Sequence, residues 1–279
     1  MYNYKLYAFA DEASPEVDGQ ITAMKRNGLQ GLEIRGVDGT NVADITLEKA
    51  REVRKKLDDN GLITWSIGSP IGKIKLDDDF DAHLDKLRHV MDIAHILGAE
   101  NLRMFSFFVS DEEADGCKDE IISRLGVMQE IVRDAGVYMC HENEKGIYGS
   151  TAVRCLELHK ALPEMKGIFD PANFVQCNED TKVAWDLLKP YIYYMHIKDA
   201  IYGRTVVPAG MGDGNVAYVV KEYLKNGGVA MTVEPHLKKF VGLAGLEQEG
   251  DTSQIGGLSF RDTDDAFDSA INALKAILK

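Results

Sequence analysis

Short apolar runs alternate with longer stretches in which apolar residues recur every three or four positions, from one end of the chain to the other. The short runs lie near residues 4–9, 31–35, 62–67, 100–106, 136–142, 166–170, 191–197 and 229–234, and their length predicts eight buried strands. Between them, Leu84, Leu87, Met91 and Ala94 follow helical steps across residues 81–97, with Asp85, Lys86, Arg88 and Asp92 on the other side. The same spacing links Ile121, Leu125, Met128, Ile131 and Ala135, and again Phe267, Ala270, Ile271, Leu274 and Leu278. Ser14 before Pro15 reads as an N-cap with proline at the first helical position, and Ser110 with Glu113 fits a capping box. Strands separated by helices pair in parallel, because each parallel connection needs a crossover. Eight such units closing on themselves give an α/β fold, the (β/α)8 TIM barrel. The competing open, doubly wound sheet would carry a Gly-rich turn after its first strand, where this chain has Ala8-Phe9-Ala10-Asp11-Glu12.

No stretch rich in Pro, Ser or like charges divides the 279 residues, so one domain is expected over 1–279. Residues 236–262, after the last strand, exceed the usual βα loop of about 2–6 residues. They read as a lid, a subunit contact or a plain surface insertion, and Gly242, Gly245, Gly250, Gly256 and Gly257 would let the segment move. Hydrophobic content of 45% is ample for a full core. Cys117, Cys140, Cys155 and Cys177 form no Cys-x-x-Cys pair, and the first residues lack the basic and apolar regions of a signal peptide. With no apolar segment near the roughly 20 residues needed to cross a bilayer, a soluble protein of the reducing cytoplasm is expected. A net charge of −13 argues against nucleic acid as a partner and for a small-molecule substrate. Homo-oligomerisation is left open.

Four of the apolar runs end in a residue able to bind a divalent cation: Glu142, Asp170, His196 and Glu234. Each has an ordinary explanation alone. Glu142 could pair with Lys145, Asp170 could cap the turn at Pro171, His196 could be a hydrogen-bonded core histidine, and Glu234 could bind a neighbouring lysine. Repeated at successive strand ends, the pattern favours one shared site for a metal. Three oxygens and one imidazole make a fairly hard donor set, which suits Mn²⁺ first, with Mg²⁺, Co²⁺ or Zn²⁺ as alternatives.

At these positions the chain resembles the xylose isomerase-like TIM barrels, a family of sugar isomerases, ketose 3-epimerases, inosose dehydratases and the endonuclease IV group. The resemblance spans essentially the whole chain and is most specific at His141-Glu142-Asn143, Phe169-Asp170-Pro171-Ala172-Asn173, Met195-His196-Ile197-Lys198-Asp199 and Val233-Glu234-Pro235-His236. It implies that Glu142, Asp170, His196 and Glu234 bind the metal, and that Glu142 and Glu234 are also the catalytic groups that move protons on opposite faces of the substrate. Val207 to Gly214 looks like the Gly-rich loop that follows the seventh strand in many members, although a tight turn would read the same way. The better-known epimerases carry a further Glu six positions after the fifth-strand ligand and an Arg six after the seventh-strand His. This chain has Tyr148 and Tyr202 there, with Arg204 as a nearby substitute.

The chemistry implied is enolisation. A ketone and its adjacent hydroxyl chelate one cation, which stabilises the charge that grows when the α-proton leaves, and a second group returns the proton on the other face. Lys198, two positions after His196, points to the same side of the strand and would steady an oxyanion or pair with Asp170 or Glu142. Asn173 and His236 would bind substrate hydroxyls or serve as turn residues. His141 should face away from Glu142 on a regular strand, as a structural group or a second acid/base. Glu33 and Arg35 close the second strand and Arg103 lies in the fourth; Glu33 is the better candidate for substrate binding, and an Arg103–Glu33 salt bridge is the alternative. His83, His89, His95 and His159 fall in helices away from the mouth and read as packing or surface residues. The leading expectation is a metal-dependent isomerase or epimerase of a keto sugar or related polyol. A metal-dependent lyase or dehydratase is second, with an endonuclease or a non-catalytic sugar-binding protein behind.

Overall fold

A computed structural model describes residues 2–203, 205–243 and 258–279. All eight expected strands are present: β1 (Lys5–Ala8), β2 (Gly31–Ile34), β3 (Ile63–Gly68), β4 (Asn101–Met104), β5 (Tyr138–Glu142), β6 (Lys166–Phe169), β7 (Ile192–Ile197) and β8 (Ala230–Val233). Each pairs in parallel with its neighbours in chain order, and β1 pairs with β8 through Lys5 opposite Ala230 and Ala8 opposite Val233, so the sheet closes as a barrel. Nine α-helices are found among the described residues: α1 (Val17–Arg26), α2 (Leu47–Asp59), α3 (Phe80–Leu97), α4 (Ala114–Asp134), α5 (Ala152–Ala161), α6 (Pro171–Gln176), α7 (Thr181–Leu188), α8 (Val216–Lys225) and α9 (Thr263–Ile277). The fold is the (β/α)8 TIM barrel. Among the described residues no helix is long and apolar enough to cross a membrane.

The apolar spacing read from the sequence becomes the inner faces of the helices. Leu84, Leu87, Met91 and Ala94 of α3 are buried, as are Ile121, Leu125 and Met128 of α4 and Phe267, Ala270, Ile271 and Leu274 of α9. A second apolar cluster fills the barrel itself: Tyr7, Cys140, Ile168, Tyr194 and Ala230, with Trp65 stacked on Tyr7 at 4.8 Å. Three of these sit two positions before a candidate ligand, Cys140 before Glu142, Ile168 before Asp170 and Tyr194 before His196. Strand alternation therefore stacks the polar groups directly above the plug, at the barrel's carboxyl end.

Two helix starts differ from expectation. The first helix begins at Val17 rather than at Pro15, and its N-cap residue Glu16 makes no side-chain cap; Ser14 Oγ instead bonds Glu16 Oε2 at 3.0 Å. Ser110 makes no capping box either, because α4 starts at Ala114 and Ser110 Oγ bonds the Glu113 carboxylate at 2.8 Å across a preceding turn. In both places the side chains satisfy each other before the helix begins. Two small hairpins, Gly36–Val37 with Thr40–Asn41 and Asp199–Ile201 with Thr205–Val207, add to the eight strands that the apolar runs predict. Of the long segment at 236–262, residues 244–257 lie outside the described residues, as do Gly245, Gly250, Gly256 and Gly257.

Candidate active site

Glu142 is the last residue of β5 and His196 lies one residue before the end of β7, while Asp170 and Glu234 come one residue after β6 and β8. The ladder outlasts the strand at Glu234, whose N–H donates to Ile197 O at 3.1 Å, so its side chain keeps the inward direction of Thr232. A reciprocal amide clamp fixes Asp170: Asn143 Nδ2 donates to its carbonyl at 3.0 Å and its N–H donates to Asn143 Oδ1 at 2.9 Å. Donor atoms of Glu142, Asp170, His196 and Glu234 all lie within 4.8 Å of one another, and all four residues are buried.

Asp170 divides its oxygens. Oδ1 caps α6 by accepting the Asn173 N–H at 2.9 Å, whereas buried Oδ2 makes no hydrogen bond and faces the Lys198 ammonium at 3.1 Å. Burial pushes this carboxyl up to about 7; Lys198 opposes the shift and the Glu234 and Glu142 charges add to it. A buried, under-satisfied carboxylate oxygen beside two more carboxylates and an imidazole suits a hard divalent cation. Those four residues would hold it.

The surrounding cations are the chain's own. Lys198 Nζ also donates to Glu234 Oε2 at 2.8 Å, so one ammonium bridges two of the candidate ligands. Arg35 donates to Glu234 Oε1 at 3.0 Å, to both oxygens of Asp11 at 2.9 and 3.1 Å, and to Glu12 at 3.1 Å. Its guanidinium lies between the rings of Phe9 at 4.5 Å and Phe240 at 4.8 Å. Arg103 approaches Glu142 Oε2 at 3.3 Å and packs on the same Phe9 ring at 4.9 Å. Burial opposes ionisation of Glu234, but Lys198, His236, His196 and Arg35 hold its carboxyl well below the usual range. Glu142 is likewise lowered against burial, by His196 and Arg103. His196 lies between two acids, with Nδ1 2.8 Å from Glu142 Oε1 and Nε2 3.0 Å from Glu33 Oε2. Burial would neutralise it; the two carboxylates win and push it up to about 10.

The other expected residues divide into three groups. Lys198, Asn173 and His236 line a cavity above the cluster together with Lys73, Arg103 and Glu144. The space it leaves free for water is about 30 Å³, room for one or two molecules. Asn173 Nδ2 donates to Asn143 O at 2.9 Å and reaches Glu142 Oε1 at 3.4 Å; His236 Nδ1 lies 3.1 Å from Glu12 Oε1. Glu33 is not at the mouth: it is fully buried beneath His196, so the structure gives it the imidazole rather than a substrate hydroxyl. Nor does it pair with Arg103, which takes Glu142 instead. His141 points away from the cluster, as strand alternation requires. Its Nε2 is 3.0 Å from Ser106 Oγ, its ring meets His159 edge-on, and burial pushes it down to about 3, a neutral packing group. Arg204 lies outside the described residues. Glu142 is paired with His196 and Arg103, and not with Lys145, the ordinary alternative that the sequence offered. Tyr148 is buried with its hydroxyl on Glu157 at 2.6 Å, and Tyr202 is exposed.

Sequence reading misses Asp11, Glu12 and Phe9. An Asp-Glu pair directly after the first strand is the available signal, and the absence of glycine there draws the eye away from it. The Gly-rich loop has its own explanation: Asp199 accepts the N–H groups of Gly210, Gly212 and Gly214 at 2.8, 3.0 and 2.9 Å. Its amides therefore surround a carboxylate of the chain and not a substrate phosphate.

Solved structures similar along nearly their whole length share this fold. A probable 3-DHS dehydratase, AsbF, from Bacillus anthracis has 17% identity and a TM-score of 0.73, with 98% of each chain covered. IOLI protein with a bound zinc atom has 13% identity and a TM-score of 0.73, again with 98% of each chain covered. The D-allulose 3-epimerase from Methylomonas sp. has 16% identity and a TM-score of 0.73 over 99% of both chains, and a further structure of it holds D-allulose. No curated protein matches the sequence. The family model for the xylose isomerase-like TIM barrel matches residues 21–254, and the chain belongs to that family.

Proposed function

We propose that the protein is a divalent-metal-dependent isomerase or epimerase that moves a proton next to the carbonyl of a keto sugar or related polyol. The observation that carries this reading is the pair Glu142 and Glu234, brought to one cluster from β5 and β8 and held ionised against burial by neighbouring cations, His196 and Arg103 for Glu142 and Lys198, His236, His196 and Arg35 for Glu234. Carboxylates kept charged in a buried site can each accept a proton from carbon and return it. Glu142, Asp170, His196 and Glu234 would hold the cation, with Mn²⁺ the first choice for this donor set and Mg²⁺, Co²⁺ and Zn²⁺ behind it. When bound, the cation would lower the cost of negative charge growing on the substrate's carbonyl oxygen. Lys198 supplies a second positive charge at the same place, and Asn173 and His236 offer polar groups to hydroxyls at the cavity wall.

Dehydration is the second reading, favoured by His236, whose ring lies at the cavity wall between Glu12 at 3.1 Å and Glu234 at 3.5 Å. An imidazole placed there could hand a proton to a departing hydroxyl.

The test is exchange of deuterium from D₂O into keto sugars, 3-keto glycosides and inososes, with Mn²⁺ present and then chelated. Exchange beside the carbonyl that vanishes on chelation, and in Glu142→Gln and Glu234→Gln, is expected. The product formed alongside separates epimerisation from elimination. Wild-type exchange in both variants would remove the proton-transfer assignment.

A further inference from the structure

We propose that Glu33 is a positioning residue for His196: by accepting the Nε2 proton it leaves Nδ1 as the nitrogen offered to the metal site. The inference rests on the metal reading given above. His196 presents its two nitrogens to different surroundings. Nδ1 lies among the candidate ligands, 2.8 Å from Glu142 Oε1 and 3.9 Å from Glu234 Oε2, whereas Nε2 turns down toward Glu33 Oε2 at 3.0 Å.

Glu33 is itself locked. Its other oxygen accepts the Tyr194 hydroxyl at 2.9 Å and the Ser66 hydroxyl at 3.2 Å, and the residue has no exposed surface. Three groups, Tyr194 and Ser66 on one oxygen and His196 on the other, converge on this carboxylate and fix its direction. The imidazole is held from the sides by the edges of Phe9 at 5.2 Å and Tyr194 at 5.6 Å. Glu33 stands outside the set of donor atoms that converge within 4.8 Å, with the imidazole between it and them. A neutral imidazole carries one proton. Whichever nitrogen meets the stronger fixed acceptor keeps it, and the other presents its lone pair.

The test uses the whole protein loaded with Cd²⁺ and carrying isotopically labelled histidine. Scalar coupling from cadmium to Nδ1 of His196, with a proton retained on Nε2, is expected. Glu33→Gln should weaken Mn²⁺ binding by about 10- to 100-fold in calorimetry. Tyr194→Phe, which removes only one hydroxyl and serves if Glu33→Gln does not fold, should weaken it by a smaller factor. Coupling to Nε2 would overturn the proposal, and so would Mn²⁺ affinity within twofold of wild type in a folded Glu33 variant, even one of lowered thermal stability. Wild-type protein that binds neither ion would overturn the metal reading itself and this proposal with it.

Discussion

Lys198 joins two of the candidate ligands through one buried ammonium. Its ammonium lies between Asp170 and Glu234 and is itself buried, so replacing it with an uncharged side chain strands two carboxylates in low dielectric. Breaking a buried pair of this kind costs on the order of 3 kcal/mol. Lys198→Met is expected to lower the metal-free unfolding midpoint, and saturating Mn²⁺ is expected to raise that midpoint more in the variant than in wild type, because the ion then replaces a missing charge. Differential scanning calorimetry with and without Mn²⁺ measures both, and an equal rise in the two proteins would count against Lys198 and the ion sharing these oxygens. The residues that form this cluster differ in how far the sequence betrays them. Glu142, Asp170, His196 and Glu234 announce themselves because each terminates an apolar run. Asp11, Glu12 and Phe9 do not, since they follow the first strand in a turn where nothing periodic marks their direction. Glu33 is visible as a strand-end acid, but its partner is not: the bulge between β2 and β3 at Leu32 and Glu33 changes the register there, and no spacing in the chain foretells it.

At the level of elements, the loop after β7 depends on a single carboxylate. Asp199 accepts three glycine amides, and a Cβ added at Gly212 would lie 2.4 Å from the Ala200 carbonyl oxygen and 2.5 Å from Asp199 Oδ1. Neither atom can retreat cheaply, one being backbone and the other the anchor of the loop. Gly212→Ala should destabilise the protein by about 1–3 kcal/mol, read from urea unfolding; a loss below about 0.5 kcal/mol would show that the loop yields without cost. Strand positions are legible because parallel strands buried on both faces are apolar throughout. Helix starts are less so. Ser14 and Ser110 have the right identity for caps, yet each hydroxyl finds a nearby glutamate first, and short-range competition of this kind is invisible to a residue-by-residue rule.

For the molecule as a whole, acid is the informative stress. Two buried histidines outside the ligand cluster are held neutral: burial, with Lys86 adding, pushes His83 down to about 4, and burial pushes His159 down to about 4. In the unfolded chain both would titrate near about 6.5. Below that value the unfolded state binds more protons than the native one, so stability is fully present above about 6.5 and falls as pH drops toward about 4. Each histidine should contribute a loss of about 1–2 kcal/mol by pH 5. His83 Nε2 also accepts the Gly72 N–H at 2.9 Å, a bond that protonation removes. His83→Gln keeps an acceptor but cannot titrate, so its stability should fall less than that of wild type between pH 7 and pH 5. Identical losses in urea titrations of the two proteins would exclude His83 as a contributor.

The carboxylate of Asp199 also has a consequence for the loop's entropy. Its surrounding amides are aligned during folding, so the ordering entropy of that loop belongs to the folded protein and not to the encounter with a substrate. The amides of Gly210, Gly212 and Gly214 are thereby committed to an anion that the chain itself supplies. The protein has filled this anion cradle with its own carboxylate.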